Sequence, residues 1–307
     1  MKEGAATGSA GSGTVLASYG RGVLVQPDPV TSGAPPLRCS LKGRKQRIVC
    51  GDRITWSNRP THDGASVESI EPRRNLIERI DLRGRPEPVA ANIDRLAIVV
   101  APEPVADWFL VDRYWAGAQL KDIATLLLVN KLDLGIGALS DELENYRALG
   151  LRCISVASQS GVGMEQLRTA LDGSVTLLVG QSGVGKSSIV NALAPEASAQ
   201  TAELTRDAEG RHTTTTARRY RLGPGAAIVD APGVRDFAPP ASLVRAAERG
   251  FVEIHQRSAD CRFNDCRHME EPGCAVRAAA LTGAIPQRRY ESYRRLCRLY
   301  EKLASDA

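Results

Sequence analysis

The sequence predicts a multidomain α/β protein in three parts: a small N-terminal all-β barrel or sandwich, for which an OB-like β-barrel is one form, a doubly wound parallel sheet, and a helical C-terminal unit. Three observations predict it. Short apolar runs broken by Gly, Pro and Asp fill the first quarter of the chain. Apolar strands then alternate with helical patterns, the signature of a parallel sheet covered on both faces. Last, three cysteines and a histidine crowd into residues 261–274 of an otherwise helical stretch.

Composition sets the outer bounds. The chain has 307 residues, 43% hydrophobic and 24% charged, as in a soluble globular protein, and is long enough to bury a sizeable core. Its net charge of +5 favours an acidic partner, nucleic acid being the commonest. No apolar run approaches the roughly 18–20 residues that cross a membrane. The start, MKEGAATGSAGSG, lacks the apolar core of a secretion signal. Seven cysteines, odd in number and unevenly spaced, read as a reducing cytoplasm with one metal cluster rather than a disulfide framework.

The elements follow in order. Residues 1–13 read as a disordered Gly/Ser/Ala tail and 14–75 as the barrel, with GTVLASYGRGVLVQPD, LRCSLKG, RIVCGDRITW and ASVESIE as its strands. Residues 76–92 read as a polar, Pro-rich linker. From 93 to 238 the texture changes. DRLAIVV, ATLLLV, RCISV and SVTLLVG are apolar strands separated by helical stretches, and RRYRLG and GAAIVD follow as two more. In the helix ALSDELENYRALG, Ser140 is the expected cap with Glu142 and Glu144 near the positive end. Residues 239–307 read as the helical unit.

Gly180-Gln181-Ser182-Gly183-Val184-Gly185-Lys186-Ser187 matches G-x-x-x-x-G-K-[ST], and Ser188 continues it into a helix. Glycines let the backbone wrap a phosphate with its N–H groups, Lys186 neutralises the β- and γ-phosphates, and the Ser187 hydroxyl can ligate magnesium. The strand before and the amphipathic helix after are what that mechanism requires. Earlier in the chain, Asn130-Lys131-Leu132-Asp133 ends the strand ATLLLV. A carboxylate there can accept from N1–H and the N2 amino group of guanine, a pair that adenine does not offer. Taken alone, so short a motif equally suits a helix cap after a strand; the phosphate loop nearby favours the base reader. Ala157-Ser158 follows the next strand, where a loop could touch the base edge. After the phosphate loop come GRHTTTTARRY and then IVDAPG. Asp230 can hold magnesium through water and the Gly233 amide can meet the γ-phosphate. One threonine of Thr213–Thr216 completes the magnesium shell, and sequence does not choose among them. All parts of a guanine nucleotide site exist, but the base reader precedes the phosphate loop. A circular permutation explains that order without losing the site, because strand-end loops build the site whatever their connections.

Cys261-x4-Cys266-x-His268-x5-Cys274 offers three thiolates and one imidazole. A closed four-ligand set of S and N atoms suits one structural Zn2+; the competing reading is a group of buried unliganded thiols.

With these motifs together, NKLD at 130–133, GQSGVGKSS at 180–188, GRHTTT at 210–215, DAPGVRDF at 230–237 and CRFNDCRHMEEPGC at 261–274, the chain resembles the ribosome small-subunit-dependent GTPases, the RsgA or YjeQ family, over about residues 14–304. The resemblance implies an OB barrel, a circularly permuted P-loop GTPase domain and a zinc-bearing helical domain. It implies GTP hydrolysis to GDP and phosphate with Mg2+, stimulated by the small (30S) ribosomal subunit and its rRNA during late maturation, by a cytoplasmic monomer. Two positions depart from the family pattern. Ala231 replaces the hydroxyl residue of Asp-[Thr/Ser]-Pro-Gly, and Ala157 stands where the base-touching loop carries Ser; neither change removes a key ligand. Val234 occupies the place where Ras-like enzymes carry a water-orienting Gln. His212, beside the switch threonines, is the candidate the resemblance supplies, against the bland reading of a solvated loop histidine.

Basic surfaces complete the reading. LKGRKQR at 41–47 and PQRRYESYRRLCRLYEK at 286–302, with Tyr290, Tyr293 and Tyr300, suit phosphate contact and base stacking. The second equally suits an amphipathic packing helix. Arg73 and Arg74 are ambiguous in the same way. Two other classes compete with the regulatory GTPase: an RNA-binding module with structural nucleotide, and a small-molecule kinase, which NKLD and the Cys/His island disfavour.

Overall fold

The computed structural model describes residues 9–19, 22–31, 34–41, 47–58, 64–80, 85–195, 216–231 and 247–305. His212, Thr213–Thr215, Gly233 and Val234 lie outside them, as does most of the basic run 41–47.

Five strands form the barrel: β1 (Ala10–Tyr19), β2 (Gly22–Pro27), β3 (Leu37–Leu41), β4 (Arg53–Asn58) and β5 (Ala65–Ile70). They run in the order β1-β2-β3-β5-β4 and close through β1–β4; only β3–β5 is parallel. Val15, Val23, Val25, Cys39, Ile54 and Val67 fill the interior. Strand β1 begins inside the stretch that reads as a tail. Gly11 and Gly13 are close-packing residues there: a Cβ on Gly13 would lie 2.5 Å from the Gln26 carbonyl oxygen, and one on Gly11 would lie 3.0 Å from the Trp56 ring.

The expected linker is a β-hairpin, β6 (Leu76–Ile80) with β7 (Pro86–Ala91). Ile77 is fully buried while Glu78 and Arg79 take ion pairs with Lys121 and Glu87, so the alternation of LIERI outweighs its polar composition. Arg73 clasps the buried Asp52 with two bonds of 2.7 and 2.8 Å, and Arg74 pairs with Asp94 at 2.6 Å. Both arginines brace this junction.

The central sheet contains β8 (Arg95–Val100), β9 (Ala124–Val129), β10 (Arg152–Ser155), β11 (Val175–Gly180), β12 (Arg218–Gly223) and β13 (Ala226–Asp230). Its order is β10-β9-β8-β11-β13-β12, parallel except for the β12–β13 hairpin, and β12 touches β1 at Arg218–Ala17. Leu96, Ile98 and Val100 face one cluster with α1 (Trp108–Gln119) and α2 (Ser140–Ala148). Ala97 and Val99 face the other with α3 (Met164–Leu171) and α4 (Lys186–Leu193). Strict alternation along β8 thus supplies both faces of a doubly wound sheet. Ser140 is the first residue of α2 rather than its cap; its hydroxyl donates to the Gly137 carbonyl at 2.7 Å.

The C-terminal unit contains α5 (Val252–Ser258), α6 (Ala275–Leu281) and the long α7 (Gln287–Ser305). Phe251, Ile254, Val276, Tyr293, Leu296 and Tyr300 form its core. The i, i+3, i+4, i+7 spacing on α7 is therefore a packing stripe.

Candidate functional site

The loops that carry the motifs leave the C-terminal ends of β9, β8, β11 and β13, which are neighbours in that order. This edge is where open α/β sheets bind ligands. The permutation leaves the spatial series intact: base reader, phosphate loop, Asp230.

Gly185 ends the phosphate loop and caps α4 at φ +91, and a Cβ there would lie 2.2 Å from Asn130 Nδ2. Only glycine permits both the left-handed backbone and that approach. Asn130 uses the space. Buried at 1% exposure, it donates from Nδ2 to the Val184 carbonyl at 3.0 Å and accepts at Oδ1 from the Ser158 N–H at 3.2 Å. It joins the base reader, phosphate loop and Ala157-Ser158 loop. Lys131 turns the chain through φ +61, and the Leu132 N–H bonds the Val156 carbonyl at 3.0 Å. The short turn Leu132–Leu134 then presents Asp133 at the surface, where it can take a purine edge.

Within the phosphate loop, Lys186 Nζ donates to the carbonyls of Gly180 (2.9 Å) and Gln181 (2.7 Å), which holds the ammonium in the loop's mouth. Val184 is fully buried beneath it, while Ser182, Gly183 and Ser187 are exposed and Ser188 half-buried. The first turn of α4 aims its free N–H groups at the same space. Asp230 ends β13 beside the β11 end, with Leu178 as its sheet partner. Burial raises its carboxyl pKa above the ordinary value, partly offset by Lys186 and Arg218. A carboxylate short of compensating charge is suited to a cation.

Two tethers here have no motif. The Gln181 side chain accepts from the Asp107 N–H at 2.9 Å and donates to the Val105 carbonyl at 3.1 Å. Lys131 Nζ donates to the Glu103 carbonyl at 2.7 Å. The segment ahead of α1 thus holds both halves of the site.

Cys261, Cys266, His268 and Cys274 converge with their ligand atoms all within 4.8 Å of one another. His268 Nδ1 is 3.5 Å from both Cys261 Sγ and Cys274 Sγ, the ligand-to-ligand spacing of a tetrahedral site with metal–ligand bonds of about 2.0–2.3 Å. Burial and the neighbouring thiols push Cys266 up to about 12; a bound cation would draw such protons off. The four residues can hold one metal ion. On the far side of the ring, Nε2 lies 3.0 Å from Glu248 Oε2, the partner expected of a metal-bound imidazole. Glu248 lies outside the Cys/His spacing pattern, and no local signal marks it.

The tyrosines of α7 serve this loop. Tyr290 donates to the His268 carbonyl at 2.7 Å and Tyr293 to the Arg267 carbonyl at 3.0 Å, and Tyr300 is fully buried. Arg288 and Arg289 bind Asp112, Glu142 and Glu253. The base-stacking reading of these residues therefore falls, because their rings and charges are spent on the protein's own loop and helices.

A parallel sheet with a phosphate loop at its C-terminal edge, a base reader preceding it in sequence, and a flanking barrel and Cys/His helical unit define a circularly permuted P-loop GTPase. The family model described as RsgA GTPase matches residues 70–239, and the chain belongs to that family of GTP-hydrolysing enzymes. Curated relatives agree. The small ribosomal subunit biogenesis GTPase RsgA of Azotobacter vinelandii is 40% identical over 302 residues, covering 96% of this chain and 87% of that one. Its counterpart in Pseudomonas aeruginosa strain LESB58 is 41% identical with the same coverage. Among solved structures, YjeQ from Thermotoga maritima superposes with a TM-score of 0.72 at 25% identity, over 96% of this chain and 99% of that one. YloQ, described as a circularly permuted GTPase, superposes at 0.69 and 22% identity over 96% of each chain and bears on the fold alone. Among the described residues no helix is long and apolar enough to cross a membrane.

Proposed function

We propose that this GTPase acts as a cytoplasmic monomer on the small ribosomal subunit, where contact with rRNA stimulates hydrolysis and assists a late step of maturation. The observation that carries the reading is Asn130. One buried amide laces the base reader to the phosphate loop in an order that only a permuted GTPase domain requires. The names of the curated relatives supply the partner.

In this reading Asn130, Lys131, Leu132 and Asp133 select guanine, with Asp133 taking its N1–H and amino group. Gly180 to Ser188 wrap the phosphates, Lys186 neutralises charge developing at the γ-phosphate, and the Gly233 amide meets that phosphate. Ser187, and Asp230 through water, would hold magnesium, which when bound would supply positive charge against the phosphates. His212 orients the attacking water. The Cys3His cluster holds one structural zinc, the metal its S/N donors favour. With the tyrosines, Arg288 and Arg289 of α7 committed internally, rRNA contact is assigned to the basic run 41–47 and to the exposed Arg295 and Arg298 of α7.

Phosphate release from GTP, measured with and without purified 30S subunits, tests the reading. Slow basal release that rises on adding subunits supports it. A rate indifferent to subunits leaves the alternative, an RNA-binding module whose nucleotide is structural.

A further inference from the structure

Helix α1 belongs to two cores at once. Leu110, Val111, Tyr114, Trp115 and Ala118 pack against the central sheet, whereas Ala116 is fully buried in the C-terminal core with Phe251 and Ile254. Contact at that point is close: a Cβ on Gly250 would lie 2.7 Å from Ala116 Cβ. Beside it sits an ionic cluster that crosses between the two units. Asp112, fully buried on α1, accepts from Arg289 Nη1 and Arg288 Nη1, each at 2.6 Å, and from the Tyr146 hydroxyl. Arg289 also clasps Glu253 with bonds of 2.7 and 3.0 Å, and its guanidinium lies 4.8 Å from the Trp115 ring and 4.6 Å from Phe251. Arg288 adds a 2.7 Å bond to Glu142.

The other end of α1 reaches the nucleotide site. Its cap is Asp107, whose backbone N–H holds Gln181, while Glu103 and Val105 hold Lys131 and Gln181 through their carbonyls. From Asp107 to Asp112 is about 7.5 Å of helix at 1.5 Å per residue. A helix is stiff over that length, and packed interiors transmit displacement rather than absorb it.

We propose that α1 is a strut through which the C-terminal domain positions the nucleotide site. Arg288, Arg289 and Asp112 are positioning residues: they touch no nucleotide, but they fix the helix whose leading segment holds the phosphate loop and the base reader. Coupling of this kind is reciprocal, so nucleotide occupancy equally biases the seat of the C-terminal domain. The inference rests on the GTP-site reading above.

A double-mutant cycle on the full chain tests it, read as the Kd of fluorescent GDP and of a non-hydrolysable GTP analogue. Arg288→Ala spares the fold because Asp112 keeps Arg289 and Tyr146. It is expected to weaken nucleotide about threefold or more, with metal content unchanged and Arg288→Lys intermediate. In a Gln181→Ala background, where the Gln181 tether is cut and only the Lys131–Glu103 bond remains, the same substitution should have a smaller effect, by more than the scatter of uncoupled sites. Distant, uncoupled sites instead combine multiplicatively to within about twofold. An equal factor in both backgrounds, or no effect of Arg288→Ala on a wild type that binds nucleotide, overturns the strut. A wild type that binds neither nucleotide overturns the GTP-site reading instead. Should Arg288→Ala lose its metal, Glu142→Ala removes only the outer bond of Arg288 and is expected to act in the same direction more weakly; a Kd equal to wild type would again overturn the strut.

Discussion

The side-chain amide of Asn130 reaches the Val184 carbonyl at 3.0 Å across 54 residues of chain. That bond makes the unusual motif order immaterial, since the site is assembled in space at one sheet edge. Asn130→Ala strips the Val184 carbonyl and the Ser158 N–H of buried partners, each worth about 1–3 kcal/mol when left unsatisfied. GDP and GTP affinity should fall about tenfold or more, one decade being about 1.4 kcal/mol. Gly185→Ala, strained at φ +91 and colliding with the same amide, should lose more. Wild-type affinity of Asn130→Ala in a nucleotide titration would remove the tie from the assembly of the site.

Glu248 gives the metal cluster a testable outer partner. By accepting from His268 Nε2 it leaves Nδ1 free to face the sulfurs of Cys261 and Cys274. Glu248→Ala should lower metal affinity about 10- to 100-fold in chelator competition, the usual loss for such a partner. Metal affinity equal to wild type would mean that packing alone orients the ring.

The phosphate loop, the base reader and the Cys/His island were legible in the sequence because each is a local pattern whose spacing carries its chemistry. The sheet was legible for a similar reason, its apolar strands alternating with helices. Arg288 and Arg289 were not. Their carboxylate partners Asp112 and Glu253 lie 177 and 36 positions from Arg289, and an Arg/Tyr stripe reads the same whether it faces RNA or an acidic pocket. Gly11 and Gly13 read as tail composition, since the Trp56 ring and Gln26 carbonyl that demand them are distant in sequence. Glu248 shares no spacing with the ligands it supports.

Asp230 predicts a conflict between stability and function. Burial raises its pKa, so its ionisation weakens the nucleotide-free fold. A raised pKa contributes stability that is full below the unfolded value and lost as pH rises through the folded one. Asp230→Asn should therefore unfold at a higher temperature than wild type near neutrality, and the gap should close on acidification. The same variant should lose the magnesium dependence of GTP binding. A stability gap that widened toward acid pH would contradict the assignment of burial as the dominant cause.

His212 carries a kinetic prediction. With Val234 in the position of the water-orienting glutamine, hydrolysis needs another group to align water. His212→Ala should keep GTP affinity while losing about 10²–10⁴-fold of the subunit-stimulated rate, the range for a positioned proton-handling side chain. Single-turnover phosphate release checks it, and an unchanged stimulated rate would exclude His212 from the chemistry.

Arg289 decides what holds the C-terminal unit to the sheet domain. Its guanidinium is fully buried and supplies three bonds to Asp112 and Glu253. Arg289→Ala leaves Glu253 without its cation in a dry site, a change that costs about 3–5 kcal/mol when a buried pair is broken. Arg289→Lys keeps the charge but not the planar fork, so it should recover only part. Replacing Arg289 and Glu253 together with apolar residues of similar volume should cost far less than Arg289→Ala alone, because Glu253 is then not stranded and Asp112 keeps Arg288 and Tyr146. Urea unfolding of the three variants separates these outcomes. If Arg289→Ala unfolded at the wild-type midpoint, the ion cluster would contribute no net cohesion, and the junction would rest on the packing of Ala116 and Phe109 in the C-terminal core.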